Sequence, residues 1–213
     1  MPTHRARILL SVLFLTPTLQ GGAQVPVQEE HYSYYDKSNA AVSRLAVVEK
    51  YHLGKGMDDM EARQWYLALA EWDFILRYFP NHPRILYLMS LTAEKLHDVK
   101  KAEDYFKTAM TLYPDTASTY SVYGIFLFRQ GQVDEAIEAY SRSLSLDPSS
   151  PETHYNLGLA YAAAGREELA NRHAQAAYSL GFPLPGLSEK LKRSGSWKPL
   201  PAEEIAALVT PAK

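Results

Sequence analysis

Three prolines, Pro80, Pro114 and Pro148, stand 34 residues apart, and this spacing restricts the fold more than any other feature of the chain. The same step relates Ala68, Ala102, Ala136 and Ala170, then Gly56, Ser90, Gly124 and Gly158, and then Trp72, Phe106 and Tyr140. Four kinds of position thus repeat in phase. A period of about 34 residues with small residues at fixed places belongs to a stacked helix–turn–helix array, in which each unit buries its apolar side against its neighbours.

Each class of position has its own physical task. Two helices of one unit approach closely where neither carries bulk, which suits Gly124 or Gly158 on the first helix and Ala136 or Ala170 on the second. Overfilling such a contact costs about 1–3 kcal/mol. The aromatic four residues after each alanine shares its helical face and is expected to fill the space between units. Ala174 breaks that pattern in the last unit. Each periodic proline lacks an amide hydrogen and cannot continue the second helix, so the chain turns there.

Tyr123-Gly124, Gly131-Gln132-Val133-Asp134-Glu135-Ala136, Tyr140 and Leu146-Asp147-Pro148 form one connected pattern. Asn156-Leu157-Gly158, Tyr161, Gly165, Ala170 and Ala177 form a second. With these residues the chain resembles the tetratricopeptide repeat family. The resemblance implies an all-α fold, a right-handed superhelix (α-solenoid) of about four repeats at 49–82, 83–116, 117–150 and 151–184. Pro83 and Pro151 suit first helical positions, Ser150 suits an N-cap, and Gly131 and Gly165 suit left-handed turns inside their repeats. The first repeat departs most. Gly54, Gly56, Asp58 and Asp59 predict a short or irregular first helix there.

The termini read differently. Arg5 and Arg7 precede the apolar run Ile8 to Leu15, and Gly21, Gly22 and Ala23 follow, the order of a secretory signal peptide over 1–23. Residues 24–48 are expected to form an extended leader rich in tyrosine (Tyr32, Tyr34, Tyr35), then a capping helix from Ser38 to Tyr51. Over 185–213, Gly186 to Arg193 pairs Leu187 with Leu191 in the manner of a C-terminal solvating helix. Trp197 is expected to anchor the loop after it, and Ala202 to Val209 to form a short final helix. The expected product is exported, periplasmic or secreted, with no lasting membrane anchor.

The absence of cysteine excludes disulfides, thiolate metal sites and cysteine nucleophiles. A net charge of −2 carries no basic footprint for nucleic acid. No His-Glu-x-x-His helix and no Gly-x-Ser-x-Gly elbow is present, and Gly54-Lys55-Gly56 lacks the spacing of a phosphate loop. It reads as a loop entering a degenerate repeat. Asp58, Asp59 and Glu61 are placed near a helix start, where carboxylates complement the dipole. His82 and His97, at turns, are assigned surface or capping roles. No catalytic residue, metal or cofactor is expected.

The resemblance places the ligand-binding positions on the concave face of the first helices. Carried onto this sequence they are Arg84, Tyr87, Leu91, Glu94 and Lys95, then Ser121, Ile125, Phe128 and Arg129, and then Glu152, Tyr155, Asn156 and Leu159. Leu91, Ile125, Phe128 and Leu159 are expected as an exposed apolar stripe, Lys95 and Arg129 as orienting charges, and Phe128→Asp as a change that spares folding. Leu88 and Val122 stand where a carboxylate-clamp groove needs polar groups. The reading is a non-catalytic periplasmic adaptor holding a peptide segment or helix of another envelope protein. Open beside it are a glycan or small-ligand module stacking on Tyr87, Phe128 and Tyr155, self-association, and cover of the groove by the leader or tail.

Overall fold

Within α4, Val99–Leu112, the residues Ala102, Tyr105, Phe106 and Ala109 follow one another at steps of three and four, and all are buried. The same stripe recurs in every second helix, and burying one such phenylalanine is worth about 1.5–3 kcal/mol. The computed structural model describes residues 25–210, which form ten helices and no strand. Before α4 come α1 (Asn39–Glu61), α2 (Trp65–Tyr78) and α3 (Pro83–Lys95). After it come α5 (Ala117–Arg129), α6 (Val133–Leu146), α7 (Pro151–Ala163), α8 (Glu167–Ser179), α9 (Gly186–Ser194) and α10 (Ala202–Val209). From α1 to α9 each helix packs on the next in sequence, as in an all-α tetratricopeptide-type solenoid. The signal-peptide segment lies outside the described residues.

Local chemistry sets the helix ends. Ser38, Asp98 and Ser150 each accept a hydrogen bond from the amide three residues on, and Pro83 and Pro151 take the first helical position. Inside the four units the turn between helices passes through one left-handed residue. These are Arg63 (φ 58°), His97 (φ 57°), Gly131 (φ 79°) and Gly165 (φ 71°), which keep the repeat spacing although only two are glycine.

Two expectations for the first unit are overturned. The capping helix and the irregular first helix are one continuous helix of 23 residues, so the boundary at 48/49 falls inside α1. Gly54-Lys55-Gly56 is helix rather than loop, since an internal glycine costs about 1 kcal/mol relative to alanine and does not by itself end a helix. Gly56 serves close approach, because a Cβ there would lie 2.5 Å from the Trp72 ring. The acidic trio sits in the last turn of α1, not at a helix start, and Asp59 pairs there with Lys55 at 3.6 Å.

The aromatic positions also differ from expectation. Trp72 and Tyr140 lie over the glycine of their own unit, since a Cβ on Gly124 would meet the Tyr140 ring at 2.6 Å. Phe106, whose unit has Ser90 instead, reaches the next unit and packs on Tyr123 and Phe126 at 5.1 and 5.4 Å. In the last unit Ala174 leaves a gap that Leu187 of α9 fills, its Cδ2 standing 2.6 Å from where a Gly158 Cβ would be. The solvating helix thus replaces the missing aromatic.

Candidate functional site

The wall made by the first helices follows from the packing. α3 touches α5 and α5 touches α7, whereas among the described residues α4, α6 and α8 do not pack on one another to that degree. Elements that meet from unit to unit lie on the inside of a curved array, so α3, α5 and α7 form the concave side. These helices carry the predicted binding positions, from Arg84 and Glu152 in the first turns of α3 and α7 to Lys95 and Arg129 at the ends of α3 and α5.

Exposure along this wall corrects the sequence reading. Leu91, Ile125, Phe128 and Leu159 are half-buried rather than an exposed stripe. Ile125 and Phe128 pack against the main core, and Leu159 packs against a C-terminal cluster of Ala170, Ala174, Leu187 and Leu191. Phe128→Asp would therefore place a charge against the core and cost stability, contrary to expectation. Tyr155 is covered from its own chain, its ring stacked on Phe182 at 4.1 Å. A platform of Tyr87, Phe128 and Tyr155 has thus already lost one face to the C-terminal segment.

The polar positions separate into engaged and free. Arg129 is held by Glu94: its Nε donates to Glu94 Oε1 at 3.1 Å and its Nη2 to Oε2. That pair raises the Arg129 pKa further, and Gln130 donates to the same carboxylate. Arg129 is therefore not the free orienting charge expected. Ser121 and Thr153 join α5 to α7 through their hydroxyls at 2.9 Å. Arg84 and Lys95 are exposed, Tyr87 and Asn156 half-buried, and among the described residues Arg84, Lys95 and Asn156 have no side-chain hydrogen-bond or ion-pair partner.

Two buried groups escaped the sequence reading. His82, assigned a surface or capping role, is the N-cap residue of α3 but only 1 % exposed, with Tyr34 tilted over it at 4.2 Å and Nε2 at 3.0 Å from Glu49. Burial lowers its pKa, against the pull of Glu49. Glu71 receives hydrogen bonds from His52 at 2.6 Å and from Lys55. Burial acts to raise its pKa, and the hydrogen bonds from Lys55 and His52 outweigh it, so that it is lowered. Neither group lies with a nucleophile, and no set of three metal-ligating side chains occurs among the described residues.

Most of the exposed large apolar residues lie elsewhere, on α1 and α2: Val42, Val47, Tyr51, Met57, Tyr66 and Leu67. The signal was present in the sequence. Ala41, Leu45, Val48 and Gly56 give α1 one apolar side, and Val47 and Tyr51, four residues apart, share another. No described helix is long and apolar enough to cross a membrane.

Comparison with known proteins agrees with this architecture. Residues 53–117 match a family model described as tetratricopeptide repeat, and residues 126–165 match one described as TPR repeat. PilF of Pseudomonas aeruginosa is similar in structure, with a TM-score of 0.57 at 16% identity over 78% of this chain and 76% of that one. A thermophilic TPR protein of Thermus thermophilus gives 0.53 at 23% identity, over 75% and 87%. YrrB, a TPR protein with an unusual peptide-binding site, gives 0.50 at 22% identity, over 73% and 84%. At such identities the likeness is one of fold. Together with the in-phase residues and the helix pairs they build, these matches show that the chain belongs to the tetratricopeptide repeat family, a fold of protein–protein interaction modules whose members are generally non-catalytic scaffolds.

Proposed function

We propose that this protein is a periplasmic, non-catalytic adaptor that holds a peptide segment or helix of another envelope protein along the wall of α3, α5 and α7. The observation that carries the reading is the set of unpartnered polar side chains there, Arg84, Lys95 and Asn156, beside the half-buried Tyr87 and Leu91. A carboxamide offers both a donor and an acceptor to a peptide backbone, and two free cations favour an acidic segment. The peptide-binding description of YrrB supports the same class of ligand. Export rests on the charged, apolar and small residues at the start of the sequence.

Photocrosslinking residues introduced at positions 91, 95 and 156 in intact cells test the proposal. The expected result is one envelope protein captured from all three, lost in Asn156→Ala with Lys95→Glu. Capture only from position 47 or 51, or none at all, refutes the groove reading. A second reading, self-association, is favoured by the exposed Val47 and Tyr51. It requires a sedimentation coefficient that falls to the monomer value in Val47→Lys with Tyr51→Asp.

A further inference from the structure

The segment before α1 is not helical, bending at 29–30 and turning at 34–35, yet it is held at defined points along one edge of the array. Gln28 N–H donates to Arg77 O at 3.1 Å, and Tyr32 N–H donates to Tyr78 O at 2.9 Å. Both acceptors are among the last carbonyls of α2, which a helix end leaves without internal partners. Tyr34 N–H donates to Asn81 Oδ1 at 2.7 Å, and Asn81 Nδ2 donates to Ser33 Oγ at 2.9 Å and to Thr116 Oγ1 at 3.2 Å. Asn81 is fully buried.

Side chains complete the contact. Tyr32 stacks on Phe79 at 6.0 Å and Tyr34 lies over His82 at 4.2 Å, the chain turning at 34–35 with Asp36 N–H donating to Ser33 O at 3.0 Å. His31 meets the edge of Tyr113 at 6.1 Å, and the Tyr35 hydroxyl meets Ser118 at 2.7 Å. One repeat step beyond Asn81 stand Asp115 and Ser149. Neither offers the paired donor and acceptor of a carboxamide, so this reading of backbone and serine together is specific to the first turn. The contact is not closed like a core: a cleft of about 350 Å³ lined by Tyr35, Asp115, Ser118 and Asp147 remains beside it.

We infer that the edge formed by Arg77–His82 and Tyr113–Ser118 is a peptide-binding site, separate from the concave wall, that takes a turned, non-helical segment with aromatic residues on either side of a serine, and that residues 28–35 of this chain occupy it in cis. Asn81 is its recognition residue. The site does not depend on the groove reading, since none of its hydrogen-bond or ring contacts is made by a predicted groove residue.

The full chain carrying Tyr32→Ala and Tyr34→Ala, mixed with a fluorescein-labelled synthetic peptide of residues 26–37, tests this. The weakened resident segment should let the peptide bind saturably at micromolar concentration. In the parent chain a short tether holds its own segment at an effective concentration of about 1 mM, so the same peptide should bind at least about tenfold more weakly. Adding Asn81→Ala to the double variant should lower peptide affinity about tenfold or more, as expected for the loss of the two hydrogen bonds it makes to Ser33 and Tyr34 of the segment. No saturable binding to a double variant with unchanged helical circular dichroism overturns the inference, as does equal binding with and without Asn81. Should the double variant not fold, hydrogen exchange on the parent chain decides. The amides of Gln28, Tyr32 and Tyr34 should open together and faster than α2 and α3, and exchange at the rate of those helices overturns the inference.

Discussion

Arg63, His97, Gly131 and Gly165 hold one left-handed turn in four sequence contexts, which allows a test of backbone energy nearly free of packing. A non-glycine residue in this conformation costs about 1–2 kcal/mol, less for histidine, which is enriched there. Glycine escapes that cost but loses about 0.4–1 kcal/mol through the greater freedom of its unfolded chain. A Cβ on Gly131 or Gly165 would meet nothing within 4 Å, and Arg63 and His97 are exposed, so no core contact changes. Arg63→Gly should therefore gain about 1 kcal/mol and His97→Gly about 0.5, while Gly131→Ala and Gly165→Ala should each lose about 0.5–1. In a domain of this size that is about 2–4 °C of melting temperature per kcal/mol. Calorimetric melts of the four single variants, with urea titrations as a second measure, read the order. If both glycine substitutions destabilise and both alanine substitutions stabilise, chain entropy dominates and the strain assigned to Arg63 and His97 is absent.

Two glycines on α1 should respond with opposite sign. Gly54→Ala meets nothing within 4 Å and should gain about 0.5–1 kcal/mol of helix propensity, while Gly56→Ala drives a methyl into Trp72 and should lose about 1–3, both read by thermal melts. Gly124→Ala should cost a similar 1–3 kcal/mol, and pairing it with Tyr140→Leu should recover part of the loss in a double-mutant cycle, because the clash is with that ring. Glu94→Gln should weaken the hold on Arg129, with a small stability change of about 0.2–1 kcal/mol in urea titration, and should raise affinity for an acidic partner segment by freeing a cation on the wall.

What was legible in the sequence was whatever repeats. Prolines, alanines and glycines at one period fixed the helix pairs, and the small positions identified where helices meet. Gly54 and Gly56 misled because glycine as a breaker and glycine as a point of close approach look alike until Trp72 is seen above Gly56. The left-handed places at Arg63 and His97 were hidden because neither residue advertises a positive φ, although the step to Gly131 and Gly165 marks them. The Glu94–Arg129 pair could have been found. Arg129 is the repeat equivalent of Lys95, so a carboxylate next to Lys95 lies one unit away from it in space. The docking of residues 28–35 had no such signal, because an irregular segment has no period and its partner Asn81 lies 47 residues along the chain from Tyr34. Neither did the cover over Tyr155, which depends on Phe182 folding back past the last repeat.

The last two helices of the array carry an acid-sensitive contact whose sign follows from its hydrogen bonds. His154 Nε2 lies 2.9 Å from the Pro148 carbonyl, which can only accept, so this nitrogen bears the proton. His154 Nδ1 then accepts from His173 Nδ1–H at 2.9 Å, with both rings neutral and Tyr161 stacked beyond His173 at 5.5 Å. Burial, then the neighbouring His154 and Arg172, against which a second proton would be held, lower the His173 pKa to about 3; burial also lowers that of His154, against the Pro148 carbonyl and Asp147. An imidazole whose folded pKa lies below its unfolded value contributes fully above the unfolded value and loses that contribution as pH falls. The loss from His173 should begin near pH 6.5 at about 1.4 kcal/mol per pH unit, reaching about 2 kcal/mol at pH 5. His82 and His154 add to the slope in the same direction, whereas Glu71, with its lowered pKa, fails only below the ordinary carboxylate range, so the window from pH 7 to 5 isolates histidine. Urea titrations across that window should show a shallower fall in His173→Gln than in the parent chain. Parallel curves would mean that His173 accepts its proton as readily folded as unfolded, and the neutral stacked pair would have to be abandoned.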